Sequence, residues 1–341
     1  MRQHFCRLIW YYAFMFILGN ISALAYMRLV GAEEIASLRR VARPQSLGPL
    51  ETSKAASLAA SSFLQAVGLP PCEIHLISTC AQRRRDHSDT VFHTFSEIPR
   101  NALLQVDDGV CIASPELLFL QLARTADLID LIQIGFELCG IYPHPGQVFT
   151  SFGERKSFMT KQSCERYLAH QNDIPGLRRA RAAIKHVIDR SASPMETASA
   201  IMLGLPYRLG GLGFPKFTMN EKIAVPLKMQ HELGRSEFYG DLAWIDQRVI
   251  LEYESNMYHS GAQRIASDSS RRNALSRMDY RVVTLTGNQI YDAQEFLRTA
   301  KTLASLLGHR IQPRVDAFEM RHHSLRHAVL KDQASTFRIS A

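Results

Sequence analysis

The sequence predicts an α/β protein, an α+β N-terminal part followed by a C-terminal mixed sheet flanked by helices. Three observations predict it. Residues 237–244 (EFYGDLAW) and 248–255 (RVILEYES) are apolar, β-branched and aromatic, and only a short polar Ile-Asp-Gln break separates them, which is a hairpin signal. Asp268, Arg271, Arg272 and Leu275 then follow at helical intervals and lead into a strand-like run, 281–286. Upstream, the strand-like segments 73–78, 90–95, 103–106 and 110–113 lie among strongly apolar helical stretches.

The chain has 341 residues, 46% of them hydrophobic and 21% charged, the composition of a globular protein with room for two modest domains. Its net charge of +8 favours a polyanionic partner. Six cysteines are scattered without a CxxC pair, so neither a zinc site nor a disulfide framework is expected.

At the N-terminus, Arg2 and Arg7 precede an apolar run from Leu8 to Leu18, the layout of a secretory signal or, extended to Val30, a membrane span. Residues 21–28 also read as the opening of a first helix, which makes 1–20 an appended extension of a cytoplasmic protein, with export or membrane anchoring as the alternative. Residues 32–69 read as two or three helices closed by Gly-Leu-Pro-Pro. Arg83 to Arg85 form a short basic loop, and Asp107-Asp108-Gly109 is a hairpin turn. Ser114-Pro115-Glu116 opens a helix, with Ser as cap, Pro at the first position and an acid in the first turn. Residues 127–142 are apolar all round, and Glu137 within them reads as a core-edge carboxylate paired to an arginine.

The domain plan that follows is an N-terminal α/β domain, 21–150, a helical connector, 151–192, a C-terminal domain, 193–308, and a basic tail, 309–341. In the connector, Arg178, Arg181 and Lys185 fall on one helical stripe that could lie along a DNA backbone or simply face solvent. Ser193-Pro-Met-Glu196 has the pattern of a capping box. Leu209-Gly-Gly-Leu-Gly213 reads as a flexible turn, because no strand, acid or lysine accompanies it as a nucleotide-binding loop requires. No small-molecule cofactor is indicated.

The chemistry concentrates in the hairpin. A turn centred on Asp246-Gln247 sets Asp241 opposite Glu252, and period-two alternation puts Glu254 on the face of Glu252. Facing like charges are destabilising, so the cluster suggests a bound hard cation, Mg²⁺ or Mn²⁺; a solvated acidic face fits the spacing equally. With Tyr258-His259, Asp268, Arg271, Arg272, Leu275 and the strand RVVTLT behind it, this string resembles the PD-(D/E)XK nuclease superfamily, and within it the branch related to very-short-patch-repair endonucleases. The likeness covers 193–307. It implies a restriction-endonuclease-like sheet, Asp241 and Glu252 as metal ligands with Glu196 as a further acid, and hydrolysis of DNA phosphodiesters. The superfamily's lysine position holds Glu254, so the resemblance leaves its charge-stabilising role to His259, Arg271 or Arg272. An inactive DNA-binding regulator, antitoxin-like, is the alternative that this departure implies.

Overall fold

The computed structural model describes residues 15–42, 54–79, 89–95, 97–141, 156–254 and 262–331, with side chains of the last stretch from 270 onward. The basic loop at Arg83, His259, the side chain of Asp268 and the first fourteen residues lie outside the described residues. The chain forms two compact units, one reaching residue 185 and the other comprising 139–142 and the residues from His186.

In the first unit the elements are β1 (Phe16–Leu18), α1 (Asn20–Val30), α2 (Ala32–Ser37), β2 (Arg39–Arg40), α3 (Lys54–Ala66), β3 (Ile74–Ser78), β4 (Thr90–Thr94), β5 (Leu103–Asp107), β6 (Val110–Ala113), α4 (Pro115–Leu122), α5 (Leu128–Leu138), α6 (Lys161–Ala169) and α7 (Leu177–Ile184). They build a six-stranded sheet of order β2-β5-β6-β1-β3-β4. β1 runs parallel to β6 and antiparallel to β3, so Phe16, Ile17 and Leu18 are central and at most 2% exposed. This corrects the reading of 1–20 as an appended extension: its last residues are the middle of a sheet, and three consecutive apolar side chains suit a strand buried on both faces. No described helix is long and apolar enough to cross a membrane.

Several expectations recur as built. The hairpin over Asp107-Asp108-Gly109 is β5–β6, with Gly109 at φ 76 and a register shift between Gln105 and Asp107. Glu137, 3% exposed, is held by Arg28 in a two-pronged pair, Nε to Oε1 at 2.6 Å and Nη2 to Oε2 at 2.7 Å. α4 is buried over its whole length, and Ser114 Oγ accepts the Leu117 amide at 3.3 Å. Replacing Ser114 with alanine leaves that amide unsatisfied and is expected to lower stability by about 1 kcal/mol, read from the urea midpoint. α6 and α7, read from sequence as a connector, belong to this unit.

The second unit contains α8 (Pro194–Gly204), a 3₁₀ turn at Tyr207–Leu209, β7 (Thr218–Ala224), α9 (Leu227–Leu233), β8 (Glu237–Trp244), β9 (Val249–Glu254), α10 (Ala262–Arg277), β10 (Arg281–Thr286), α11 (Gly287–Tyr291), α12 (Ala293–Leu306) and α13 (Phe318–Leu330). Its sheet has the order β10-β9-β8-β7: an antiparallel meander β7-β8-β9, then a crossover through α10 that lays β10 parallel to β9. Ile223, Phe238, Ala243 and Ile250 of the sheet pack with Ala274 and Leu275 of α10. Strict alternation would separate Phe238 from Ala243, so the alternation of β8 breaks between them.

Two readings change here. The glycine turn is tightly packed rather than flexible: a Cβ on Gly211 would lie 2.1 Å from Leu205 O, and one on Gly210 2.4 Å from Arg321 O. Much of the supposed basic tail is α13, with Leu325 and Val329 buried and His322 Nδ1 bonded to Gly210 O at 2.7 Å. After β10 come two short-linked helices, α11 and α12, the second capped by Asp292, which accepts the Gln294 and Glu295 amides.

Candidate active site

The β8–β9 ladder pairs Trp244 with Val249, Ala243 with Ile250 and Leu242 with Leu251. Continuing that register brings Asp241 opposite Glu252, as the sequence predicts. The ladder itself stops at Leu242, and the Asp241 carboxylate takes over: its Oδ2 accepts the Tyr253 amide at 2.8 Å. Asp241 thus fills a backbone vacancy between two parting strands, which fixes its position by a main-chain contact.

Glu252 stands on β9 beside Thr284 of β10, on the face covered by α10. Arg271 of α10 reaches it, Nη2 to Oε1 at 2.7 Å, and also donates to Tyr239 O. The contact with Glu252 is short and poorly directed, an ion pair held by charge rather than by a linear hydrogen bond, and among the described residues Arg271 Nε is buried without a partner.

The third acid comes from a helix. Ser193 caps α8 by accepting the Glu196 amide at 3.1 Å, and Pro194 starts the helix. The return half of the expected capping box is not made: Glu196 Oε2 accepts from Ala192 N at 2.9 Å and from Asn220 Nδ2 at 2.7 Å, while Oε1 accepts from Ser193 Oγ at 3.0 Å. Glu196 is only 7% exposed.

Electrostatically the three acids form one group. Burial, and next the charge of Asp241, push the Glu196 carboxyl up to about 7. Burial also raises Asp241, opposed by the Tyr253 amide and then by Arg271. Glu252 is raised by burial, opposed by Arg271 and reinforced by Asp241 and Glu254. Three carboxyls each resist ionisation, and Arg271 offsets two of them, Glu252 and Asp241.

Glu254 is exposed at the end of β9, opposite Thr286, so it meets the cluster only through its charge on Glu252. Arg272 acts on Glu252 likewise through space, after Arg271. Lys222 of β7 is paired with Glu237. Asn220 and the Tyr253 amide are the parts that the sequence reading missed. An asparagine in the middle of a strand is out of place, and that was the available signal.

Among the described residues no group of three or more His, Cys, Asp or Glu could by itself hold a metal ion. Mg²⁺ does not need such a cage, because it retains several waters and takes one or two carboxylates. Asp241 and Glu252, which the continued β8–β9 register sets opposite each other, are a donor set of that kind, with Glu252 Oε1 already held by Arg271 Nη2 at 2.7 Å.

The chain was compared with protein-family models, with curated proteins and with solved structures, and none matches. No family is assigned on that basis.

The basic stripe lies in the first unit. Arg178, Arg181 and Lys185 are all exposed on α7, whose opposite face buries Leu177, Ala180, Ala183 and Ile184. Arg181 is already engaged, donating through Nη2 to Leu168 O at 2.7 Å and Gln171 O at 3.0 Å, which closes the end of α6. A DNA contact along this stripe therefore falls first to Arg178 and Lys185.

Proposed function

We propose that the second unit is a metal-dependent endodeoxyribonuclease module of the PD-(D/E)XK kind, using Mg²⁺ or Mn²⁺ and acting in the cytoplasm. The observation that carries this reading is that Asp241 stands electrostatically between Glu252 of the adjacent strand and Glu196 of the helix before the sheet, with Arg271 paired to Glu252. The element order of α8, β7-β8-β9, α10 and β10 supports it, and so does the net charge of +8.

Asp241 and Glu252 would hold the ion, with Glu196 behind them. A bound Mg²⁺ supplies Lewis-acid charge and a water more acidic than bulk water. The protein's own part is to fix the two carboxylates, Asp241 through the Tyr253 amide and Glu252 through the Arg271 pair, and to stabilise negative charge developing on phosphate oxygens through the Arg271 guanidinium. Water adds to phosphorus, the bond to the leaving sugar oxygen breaks, and the products are a phosphate monoester and a hydroxyl.

The test is conversion of supercoiled plasmid to nicked or linear DNA by the full chain in Mg²⁺, in Mn²⁺ and in chelator. Cleavage in either metal and none in chelator is the expected result. Salt-sensitive DNA binding without cleavage in any of them would favour the inactive regulator, for which the acid at Glu254 in the lysine position is the sequence argument.

A further inference from the structure

We propose that Asn220 is a positioning residue for the cation site, setting the Glu196 carboxylate beside Asp241; the inference rests on the metal-dependent reading above. In the β7–β8 ladder, Met219 pairs with Leu242 and Glu221 with Gly240, so Asn220 is the residue that falls opposite Asp241. No ladder pair is recorded at that position. Instead Asn220 adopts φ +46, a left-handed backbone that asparagine tolerates better than most residues. The side chain, buried at 9% exposure, turns away from the ladder towards the start of α8.

There its Nδ2 donates to Glu196 Oε2 at 2.7 Å and to Arg190 O at 2.9 Å. Both acceptors lie on the same end of the amide, which settles its orientation: reversed, the amide oxygen would face two oxygens. With the Ala192 amide also on Oε2, that oxygen carries two donors, whereas among the described residues Oε1 carries only the Ser193 hydroxyl, which can rotate. Asn220 therefore anchors one oxygen of Glu196 and leaves the other with capacity to serve a cation or a metal-bound water. The break in the ladder and the unusual φ have a common effect: the strand residue facing one acid of the site becomes the support of another. Asn220 acts through Glu196, which stands behind Asp241 and Glu252; groups that support a metal site in this way typically change its affinity 10- to 100-fold when removed.

A purely structural role, a stitch between β7 and the segment before α8, would lower stability and leave cation affinity alone. Mn²⁺ titration of the full-length protein by calorimetry separates the two, using wild type, Asn220→Gly, Glu196→Gln and the double variant. Glycine keeps the left-handed backbone and deletes only the amide. We expect N220G to bind Mn²⁺ about 10- to 100-fold more weakly than wild type while still melting cooperatively, and to cost nothing further on the E196Q background, because it acts through Glu196. Unchanged affinity in N220G, or an equal additional loss on the E196Q background, would overturn the proposal while leaving the nuclease reading intact. Absence of Mn²⁺ binding by the wild type would remove both. Asn220→Ser, whose shorter hydroxyl reaches neither acceptor, replaces the glycine variant if that one does not fold, with the same outcomes.

Discussion

Asp241→Asn is expected to reduce metal-dependent DNA cleavage by about 10³-fold or more while making the second unit more stable at pH 8. The two effects have one cause. Asparagine keeps an oxygen that can accept the Tyr253 amide, so the join between β8 and β9 survives and the backbone has no reason to move. What disappears is a negative charge buried beside Glu196 and Glu252. Loss of an anionic ligand weakens cation binding and removes several kcal/mol of charge stabilisation, and each 1.36 kcal/mol corresponds to about a factor of ten in rate. The same deletion relieves repulsion that the folded state bears in the absence of an ion, as at other sites where function is bought with stability. Plasmid nicking in Mn²⁺ and thermal melting in chelator measure the two sides. A variant that cleaves normally would take Asp241 out of the chemistry; one that loses cleavage and also melts lower would mean that the charge is structural. Asp241→Ala serves as contrast, since it strands the Tyr253 amide and should lose stability as well as activity.

Much of this geometry could be read from the sequence because it depends on local rules. The break at Ile-Asp-Gln fixed the turn, the turn fixed the register, and period two carried Asp241 to Glu252; the observed pairs obey the same sum of residue numbers. The Ser-Pro-x-Glu start of α8 and the Asp-Asp-Gly turn were legible for the same reason. The features missed depend on distant parts of the chain. Nothing in MNEK announces that Asn220 will leave its ladder for Glu196, 24 residues earlier in the chain. An arginine stripe does not show that Arg181 is engaged with carbonyls of α6. Three apolar residues at the end of a signal-like run carry the same composition whether they lie in a bilayer or, as Phe16–Leu18 do, in the middle of a sheet. His259, one of the residues to which the resemblance leaves the missing lysine's role, lies outside the described residues.

The second large effect concerns pH. In chelator, the contribution of the acid cluster to the stability of the second unit should fall as pH rises from about 4.5 to about 7, the reverse of what salt-bridged carboxylates produce. It is read as the difference between wild type and Glu196→Gln, so that the opposing shift of buried His322 cancels. The folded Glu196 carboxyl titrates near 7 against 4.5 for an ordinary one, so between those values the folded state holds a proton that the unfolded state has released. Stability from this group is therefore complete below about 4.5 and is lost as pH passes 7. At 1.36 kcal/mol per pH unit the loss amounts to at most about 3 kcal/mol. Asp241 and Glu252 are shifted in the same direction. Trp244, 2% exposed with its indole N–H on Pro215 O at 3.0 Å, reports unfolding of this unit once Trp10, the other of the two tryptophans, is replaced by phenylalanine. In chelator, the wild-type urea midpoint should then decline from pH 4.5 to 8.5 relative to that of Glu196→Gln. Millimolar Mn²⁺ should restore stability more at pH 8 than at pH 5, because the ion favours the ionised carboxylates and competes with protons for them. If that difference instead rises with pH in chelator and Mn²⁺ adds equally at both ends, the three acids do not together resist ionisation, and the case for a cation between Asp241 and Glu252 goes with it.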